Sequence, residues 1–214
     1  MRFHYWSAAA AAAMMAIGLN AAQDPARGGQ RSGGAPPAPA MTLKTTAFPD
    51  GGQIPAKYTQ AGEQISPALT WTNAPPSTQS FVLHMHDLEV ARNRTTDDQV
   101  HWLVWNIPAS STGLPEGVPQ GADLKDGSHQ ISASGPVYRG PGAPATGPMH
   151  HYTFEIYALD IKLDTIPAVA MPVAAGATPN PNDELQTRDK VFAAMQGHVR
   201  GKAVMGGLFR RPPA

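Results

Sequence analysis

The sequence predicts a mainly β fold, a sandwich of β-sheets with one helix near the carboxyl end. Short runs rich in β-branched and aromatic residues recur along the chain, separated by glycine, proline, asparagine and aspartate, which is typical of strands joined by turns. In the run 152–159, apolar or aromatic side chains alternate with side chains that are mostly polar, as they do in a half-buried strand. Helical spacing of apolar residues occurs convincingly in one late stretch. Many strands with one helix favour a sandwich.

The first 22 residues are expected to be a secretory signal peptide. They begin with a short segment that contains Arg2, continue with an almost purely apolar run over 8–19, and end in small residues. That apolar run is too short to span a bilayer. We therefore expect an exported protein, periplasmic or extracellular, with no transmembrane segment in the mature chain.

Residues 23–40 are rich in glycine, proline and alanine and are predicted to form a disordered tether, which leaves 41–214 as one domain. The 214-residue chain contains no cysteine, which excludes disulfides, thiolate metal sites and thiol catalysis. It has 16 basic and 16 acidic residues and no basic run, so nucleic acid is not an expected partner.

The amino-terminal half of the domain is predicted to hold five extended segments. Each is bounded by turn residues, and a proline within the second favours an edge position. The segments are 41–48, 54–59, 62–71, 81–91 and 99–108.

The carboxyl-terminal half begins with a long loop, 113–147, in which only the stretch 130–133 indicates order. The strand at 152–159 follows. A helix is predicted to start near Thr187, as its N-cap, and to bury Val191, Met195 and Val199 against the sheet. A short strand at 202–209 ends the fold.

A small polar pocket is predicted where three strands each bring an ionisable side chain to one end. Asp87 lies where the fourth segment turns polar, His101 near the start of the fifth, and His150 at the start of the run that ends at 159. Imidazole nitrogens, phenol hydroxyls and backbone N–H groups can bind a small anion, and the carboxylate can orient a histidine or accept a bond from a ligand amine.

Other chemistries receive less support from the sequence. His84 and His86 share a strand face, but His84 lies in an apolar run with no acidic neighbour expected on that face, so we assign no metal. The nucleophile-elbow and zinc-protease motifs are absent from the sequence, and Gly140-x-Gly142 is interrupted by proline. We expect no catalysis and no cofactor.

The order of these segments resembles the phosphatidylethanolamine-binding protein family, in particular its bacterial Raf-kinase-inhibitor-like branch. Six motifs between about 41 and 210 carry the resemblance, and they occur in the family's order. They are the motifs at 48–59, 65–71, 100–108, 113–117, 138–141 and 150–152. The resemblance implies a β-sandwich of a large and a small sheet with a carboxyl-terminal helix packed alongside.

The resemblance also implies a pocket for phosphate or phosphorylethanolamine-like groups, the headgroup type of a phospholipid. Its ligand-binding residues here are the matches to the family motifs, and further residues are candidates for its rim. The matches are Asp87, His101, Gly140, Pro141, His150 and Tyr152, and the rim candidates are His86, Glu89, Tyr138 and His151.

The sequence departs from the family pattern around this pocket. The family's Asp-Pro-Asp-x-Pro reads Asp87-Leu88-Glu89-Val90-Ala91, so both prolines are lost, and His151 replaces the usual arginine. We expect an altered ligand preference within an unaltered fold. The first alternative is a protein–protein regulator, such as a protease or kinase inhibitor that uses the 113–147 loop. A metal-dependent hydrolase is a third hypothesis, ranked below these two.

Overall fold

The computed structural model describes residues 39–169 and 183–213. The predicted signal peptide lies outside these residues, and so does all of the predicted tether except its last two positions. Within the described residues the chain forms nine strands, one short 3-10 helix and one α-helix. They are β1 (Thr42–Lys44), β2 (Gly52–Gln53), the 3-10 helix (Ala56–Tyr58), β3 (Leu69–Thr72), β4 (Ser80–Arg92), β5 (Asp97–Pro108), β6 (Gly113–Leu114), β7 (His129–Ile131), β8 (His150–Leu159), α1 (Asp183–Met195) and β9 (Val199–Phe209).

The strands form two sheets, as predicted. The small sheet has the order β1-β3-β6, and the large one has the order β2-β9-β8-β4-β5-β7. Neighbouring strands are antiparallel apart from β2, which runs parallel to β9. Three of the four long strands, β8, β4 and β5, lie side by side in the middle of the large sheet, which brings the three predicted site segments together.

Two apolar clusters bury the two faces of the large sheet. The first contains side chains of both sheets, including Trp71, Phe81 and Phe154. The second contains side chains of the opposite face together with Val191 and Met195 of α1. Because both faces of β4 are covered, its run 80–87 is buried throughout, rather than at every second residue.

The helix differs from its prediction at both ends. It already includes Asp183 and Glu184, and Thr187 is not its N-cap: the Thr187 hydroxyl donates to the Asp183 carbonyl at 2.7 Å, one turn back. The helix ends at Met195, so Val199 opens β9 and is 39% exposed. The glycine at 197, with φ of +79°, reverses the chain between them.

Candidate functional site

The two faces of β4 carry different chemistry because alternate side chains of a strand point to opposite sides. The odd-numbered members of its buried run lie in the cluster between the two sheets, and Asp87 continues that series. Val82 lies in the cluster that includes α1, and the ring of His84 packs edge-on against Phe192 of the helix at 5.2 Å. Asp87 therefore belongs to the inter-sheet face and His84 to the helix face.

A β-bulge directs His101 toward Asp87. Met85 pairs with Trp102 and His86 pairs with Val100, so His101 is an extra residue of β5 with no partner in β4. Regular alternation would give His101 the side opposite to both Val100 and Trp102, yet these two lie in different clusters. The bulge accounts for that change of side. His101 packs its ring edge-on against Tyr152 of β8 at 5.0 Å.

Asp87 and His150 are bonded across β4 and β8. Nδ1 of His150 lies 3.0 Å from Oδ1 and 2.9 Å from Oδ2 of Asp87. The carboxylate is almost fully buried and also accepts the backbone N–H of Glu89 at 3.1 Å. Because the Asp87 carboxylate accepts the Nδ1 proton of His150, the lone pair on Nε2 of His150 is available to a ligand.

His101 is a neutral imidazole with a fixed tautomer. Its Nδ1 lies 2.9 Å from the Arg139 carbonyl oxygen, which can only accept, so Nδ1 carries the proton and Nε2 presents a lone pair. Burial lowers the pKa of His101 to about 4. Nε2 lies 3.9 Å from Oδ2 of Asp87, so two acceptors face each other across a gap that a hydrogen-bond donor could bridge.

The loop that holds Gly140 and Pro141 is bonded to the segment after the 3-10 helix. The Gln60 amide nitrogens donate to both residues: the side chain to the Gly140 carbonyl at 2.8 Å, the backbone to the Pro141 carbonyl at 2.9 Å. A Cβ on Gly140 would lie 2.7 Å from the Tyr58 carbonyl oxygen, so this approach requires glycine.

Tyr152 anchors the next part of the same loop. Its phenolic oxygen accepts the backbone N–H groups of Gly142 and Ala143 at 3.2 and 3.1 Å. Burial, and then the charge of Asp87, raise the pKa of Tyr152, so the phenol is protonated at neutral pH. Tyr152 therefore acts behind the pocket, where it fixes the loop against Asp87.

These elements enclose a cavity of about 110 Å³, small beside the several hundred cubic ångströms of a typical drug-sized pocket. Three of the residues proposed from the sequence as ligand-binding line it: Asp87, His101 and His150. Gly140, Pro141 and Tyr152 support its wall without lining it. The remaining lining residues were not predicted: Gln60, Val90, Gln99, Arg139, Gly142, Ala143 and Pro144.

Arg139 supplies a cation that was not predicted from the sequence. Its Nη1 donates to the Ser134 hydroxyl at 2.6 Å, whereas its buried Nε has no hydrogen-bond partner. Burial, and then the charges of Arg92 and Arg211, lower the pKa of Arg139. An anion in the cavity would relieve both the missing bond and the repulsion. Arg139 could have been identified as a pocket residue from the sequence, because it directly precedes Gly140 of the family motif.

The four rim candidates have different positions. Glu89 accepts the backbone N–H and the Nδ1 of His151, so these two departures from the family pattern pair with each other at the surface. Tyr138 is buried in the inter-sheet core, and its hydroxyl donates to the Tyr58 carbonyl at 2.8 Å. His86 does not border the pocket, because its side chain lies on the helix face beside His84.

The family's two prolines would stand at Leu88 and Ala91, in a part of β4 where the pairing with β5 is irregular. β4 continues to Arg92, which pairs with Asp97 of β5, so the two strands form a hairpin that extends beyond the pocket. Between the pairs Asp87–Gln99 and Arg92–Asp97, four residues of β4 stand against one of β5, so Leu88 and Ala91 lie in a bulge and not in the regular ladder. Val90 of this extension forms part of the pocket wall.

Comparison with known proteins identifies the family. Residues 44–210 match the sequence model of the phosphatidylethanolamine-binding protein family. The chain belongs to this family. That match covers all the pocket-lining residues, and the resemblance inferred from the six motifs is confirmed.

Curated relatives of the chain include two UPF0098 proteins. The one from Methanothermobacter thermautotrophicus is 41% identical over 173 residues, which span 80% of this chain and 99% of the relative. The one from Chlamydia pneumoniae is 33% identical over 172 residues, with the same shares of the two chains.

Solved structures confirm the fold. A phosphatidylethanolamine-binding protein homolog from Chlamydia trachomatis is 28% identical, with a TM-score of 0.60 over 80% of this chain and 98% of its own. YbcL of E. coli, described as a member of the mammalian PEBP family, also has a TM-score of 0.60, over 81% of this chain and 99% of its own, at 21% identity. Among the described residues, no helix has the length and apolar character needed to cross a membrane.

Proposed function

We propose that the chain is an exported binding protein whose pocket takes a small phosphate-bearing group of the phosphorylethanolamine type, without catalysis. The observation that carries this proposal is the pairing of opposite charges in one small cavity. Arg139, with its unpartnered Nε, and Asp87 both line a space of about 110 Å³. A zwitterion with an anionic and a cationic end matches such a pair.

Each end of the ligand has chemically suitable partners. Arg139 can donate to phosphoryl oxygens, and Nε2 of His150, whose proton is on Nδ1, can accept from a protonated phosphoryl oxygen. The amine can donate to Asp87 and to the lone pair on Nε2 of His101, which lie 3.9 Å apart. Gln60 and Gln99 add neutral polar groups at the wall. Phosphate alone would use the first set of partners, whereas phosphorylethanolamine would use both.

The test is calorimetric titration at neutral pH with phosphorylethanolamine, inorganic phosphate and ethanolamine. We expect phosphorylethanolamine to bind at least tenfold more tightly than phosphate, and ethanolamine to bind weakest. The Asp87→Asn variant should abolish the preference for the amine, and Arg139→Gln should weaken both phosphate ligands. A folded protein that binds none of the three at millimolar concentration would contradict the proposal and favour a protein partner.

Export is part of the same proposal, and it rests on the apolar run and small residues of positions 1–22. The measurement is the amino-terminal sequence of the protein recovered from the cell exterior or periplasm. A mature chain that starts after about residue 22 is expected. A chain that retains Met1 and fractionates with the cytosol would contradict export.

A further inference from the structure

The helix face of the large sheet carries a second cluster of polar groups, distinct from the anion pocket. His84 and Glu155 are paired directly across β4 and β8, and His86 is two residues further along. Nδ1 of His84 and Nε2 of His86 each lie 3.9 Å from Oε2 of Glu155. From the sequence, no acidic neighbour was expected on the strand face of His84. That expectation is wrong, because the cross-strand register was unknown.

The two imidazoles lack the hydrogen bonds that buried polar groups normally have. His84 is 3% exposed and His86 is 9% exposed. Both ring nitrogens of His84 and Nε2 of His86 have no hydrogen-bond partner. Across 39–169 and 183–213, these are three of the four buried side-chain atoms in that condition. A buried polar atom without a hydrogen bond destabilises the fold, so the convergence of three such atoms at one point indicates a missing partner.

The second nitrogen of His86 is held as metal-ligating histidines usually are. Its Nδ1 donates to Oδ2 of Asp98 at 2.6 Å, which fixes the tautomer with a lone pair on Nε2. The carboxylate of Glu155 is also fixed, since Lys202 Nζ lies 2.6 Å from Oε1 and the Tyr157 hydroxyl donates to Oε2. Lone pairs of Oε2 not used by Tyr157 remain for a further partner.

We propose that His84, His86 and Glu155 bind a divalent transition-metal ion of the Zn²⁺ class. One ligand atom from each residue can be chosen so that all three lie within 4.8 Å of one another. Ligands at about 2.1 Å from Zn²⁺ lie about 3.4 Å apart in a tetrahedron, so each 3.9 Å separation from Glu155 would shorten by about 0.5 Å. The two histidine nitrogens would approach by up to about 1.4 Å, and their rings, stacked at 18°, would tilt toward the ion. Two imidazoles with one carboxylate suit zinc, copper, nickel or iron(II), whereas Mg²⁺ and Ca²⁺ require mainly oxygen ligands.

The ion would join the sheet to the helix layer. His84 packs against Phe192 of α1, and β4 and β8 each contribute a ligand. The surrounding charges are balanced: Asp98 and Glu155 are acidic, and Lys202 and, further off, Arg188 are basic. Asp98 would be a positioning residue that acts through His86.

The first test uses the full chain, dialysed against a chelator and then titrated with Zn²⁺. We expect about one equivalent to bind and the unfolding temperature to rise by about 5–10 °C at a free concentration of roughly 100 times Kd. Co²⁺ should give the visible absorption bands of a four- or five-coordinate site. No bound equivalent and no shift in the unfolding temperature would overturn the proposal.

Variants of two of the ligand residues and of Asp98 test where Zn²⁺ binds, and they distinguish a loss of metal binding from a loss of folding. His84→Leu should lose the Zn²⁺ response, while the metal-free protein remains folded and at least as stable, since an unsatisfied imidazole has been replaced by an apolar group. Glu155→Gln provides a second loss-of-binding variant. Asp98→Asn should weaken Zn²⁺ binding about 10–100-fold without abolishing the Co²⁺ spectrum.

Two further variants provide controls. His198→Asn, which removes an exposed histidine bonded to Asp160 at 2.9 Å, should retain the full response. Asp87, Glu89 and His150 form another group of closely spaced ligand atoms. His150→Gln tests this second group: if the ion binds at His84, His86 and Glu155, the His150→Gln variant should retain the full Zn²⁺ response. If this variant loses it and His84→Leu does not, the ion binds at the anion pocket and the proposal is overturned.

Discussion

The indole Nε1–H of Trp102 donates to the side-chain oxygen of Gln130 at 2.8 Å, and both residues are completely buried. The Gln130 side-chain nitrogen donates in turn to the carbonyls of Pro119 and Gly121, at 2.7 and 3.0 Å. One glutamine thus fastens the long segment between β6 and β8 to the centre of the large sheet. Gln130 itself lies in β7, and its side chain bonds the irregular stretch around Pro119 and Gly121 to that strand.

Gln130→Ala should therefore destabilise the fold by about 2–4 kcal/mol, since one donor and two acceptors are left buried without partners. Urea unfolding measures this loss, and limited proteolysis should cut first within 115–128. The matched control is Gln196→Ala, at an exposed position directly after α1, with an expected loss below about 0.5 kcal/mol. Equal losses in the two variants would contradict the role given to Gln130.

Gly140→Ala should cost about 1–3 kcal/mol and weaken ligand binding, since its Cβ would lie 2.7 Å from the Tyr58 carbonyl oxygen and 2.9 Å from Thr59 Cα. Both contacts are with backbone and cannot relax by side-chain rotation. Thermal unfolding and phosphorylethanolamine titration provide the two measurements. Gly206→Ala serves as the control, because a Cβ there meets nothing within 4 Å. A Gly140→Ala protein with unchanged stability would show that the loop can move away freely.

Stability should fall on acidification, in part through His101. Burial lowers the pKa of His101 from 6.5 to about 4, so between these values the unfolded chain binds a proton that the folded chain does not. The contribution is fully present above pH 6.5, declines below it, and amounts to about 3 kcal/mol lost by pH 4.

The measurement compares urea unfolding of the wild-type protein with that of His101→Phe at several pH values in the presence of chelator. The difference between the two free energies of unfolding should change by about 3 kcal/mol between pH 7 and pH 4, with the variant less sensitive to acid. Parallel pH profiles would show that His101 is protonated equally in both states.

His151→Arg should restore the permanent charge that the family pattern carries at this position, directly after His150. The His151 side chain is 61% exposed and pairs with Glu89, so the substitution requires no repacking. We expect phosphate affinity to rise about two- to fivefold at low salt, with the gain reduced at high ionic strength by screening. Calorimetric titration at two salt concentrations measures this.

The control for that substitution is His198→Arg. His198 pairs with Asp160, which directly follows β8, whereas His151 lies near the start of that strand. A strand rises about 3.3 Å per residue, so nearly the whole length of β8 separates the two positions. His198→Arg adds the same charge far from the pocket, so the affinity for phosphate should not change. Equal gains in the two variants would indicate a general charge effect rather than a local one.

The central strands and the core of the site could be predicted from the sequence because both depend on local pattern. The runs around Asp87, His101 and His150 have strand composition, and their polar residues stand near run ends, so a shared pocket followed. The start of α1 was missed because Thr187 has the chemistry of an N-cap but uses its hydroxyl inside the helix.

Other parts of the site depend on contacts between distant segments and could not be predicted. Gln60 reaches the Gly140 carbonyl across 80 positions, and both lie in segments without periodicity. His84 meets Glu155 through a cross-strand register that no single strand encodes. Arg139 lies in a loop whose glycine and proline content indicates only irregular backbone.

The extra residue in β5 has a consequence for how relatives should be aligned. His101 donates through Nδ1 to the Arg139 carbonyl and accepts the Arg139 backbone N–H at its own carbonyl, so the bulge and the pocket loop are bonded in both directions. A relative with a one-residue gap at this position would have a regular ladder there. Such a protein would keep the sandwich but have no imidazole facing the acid of β4. Gap placement in this strand, more than overall identity, therefore indicates which relatives retain the pocket.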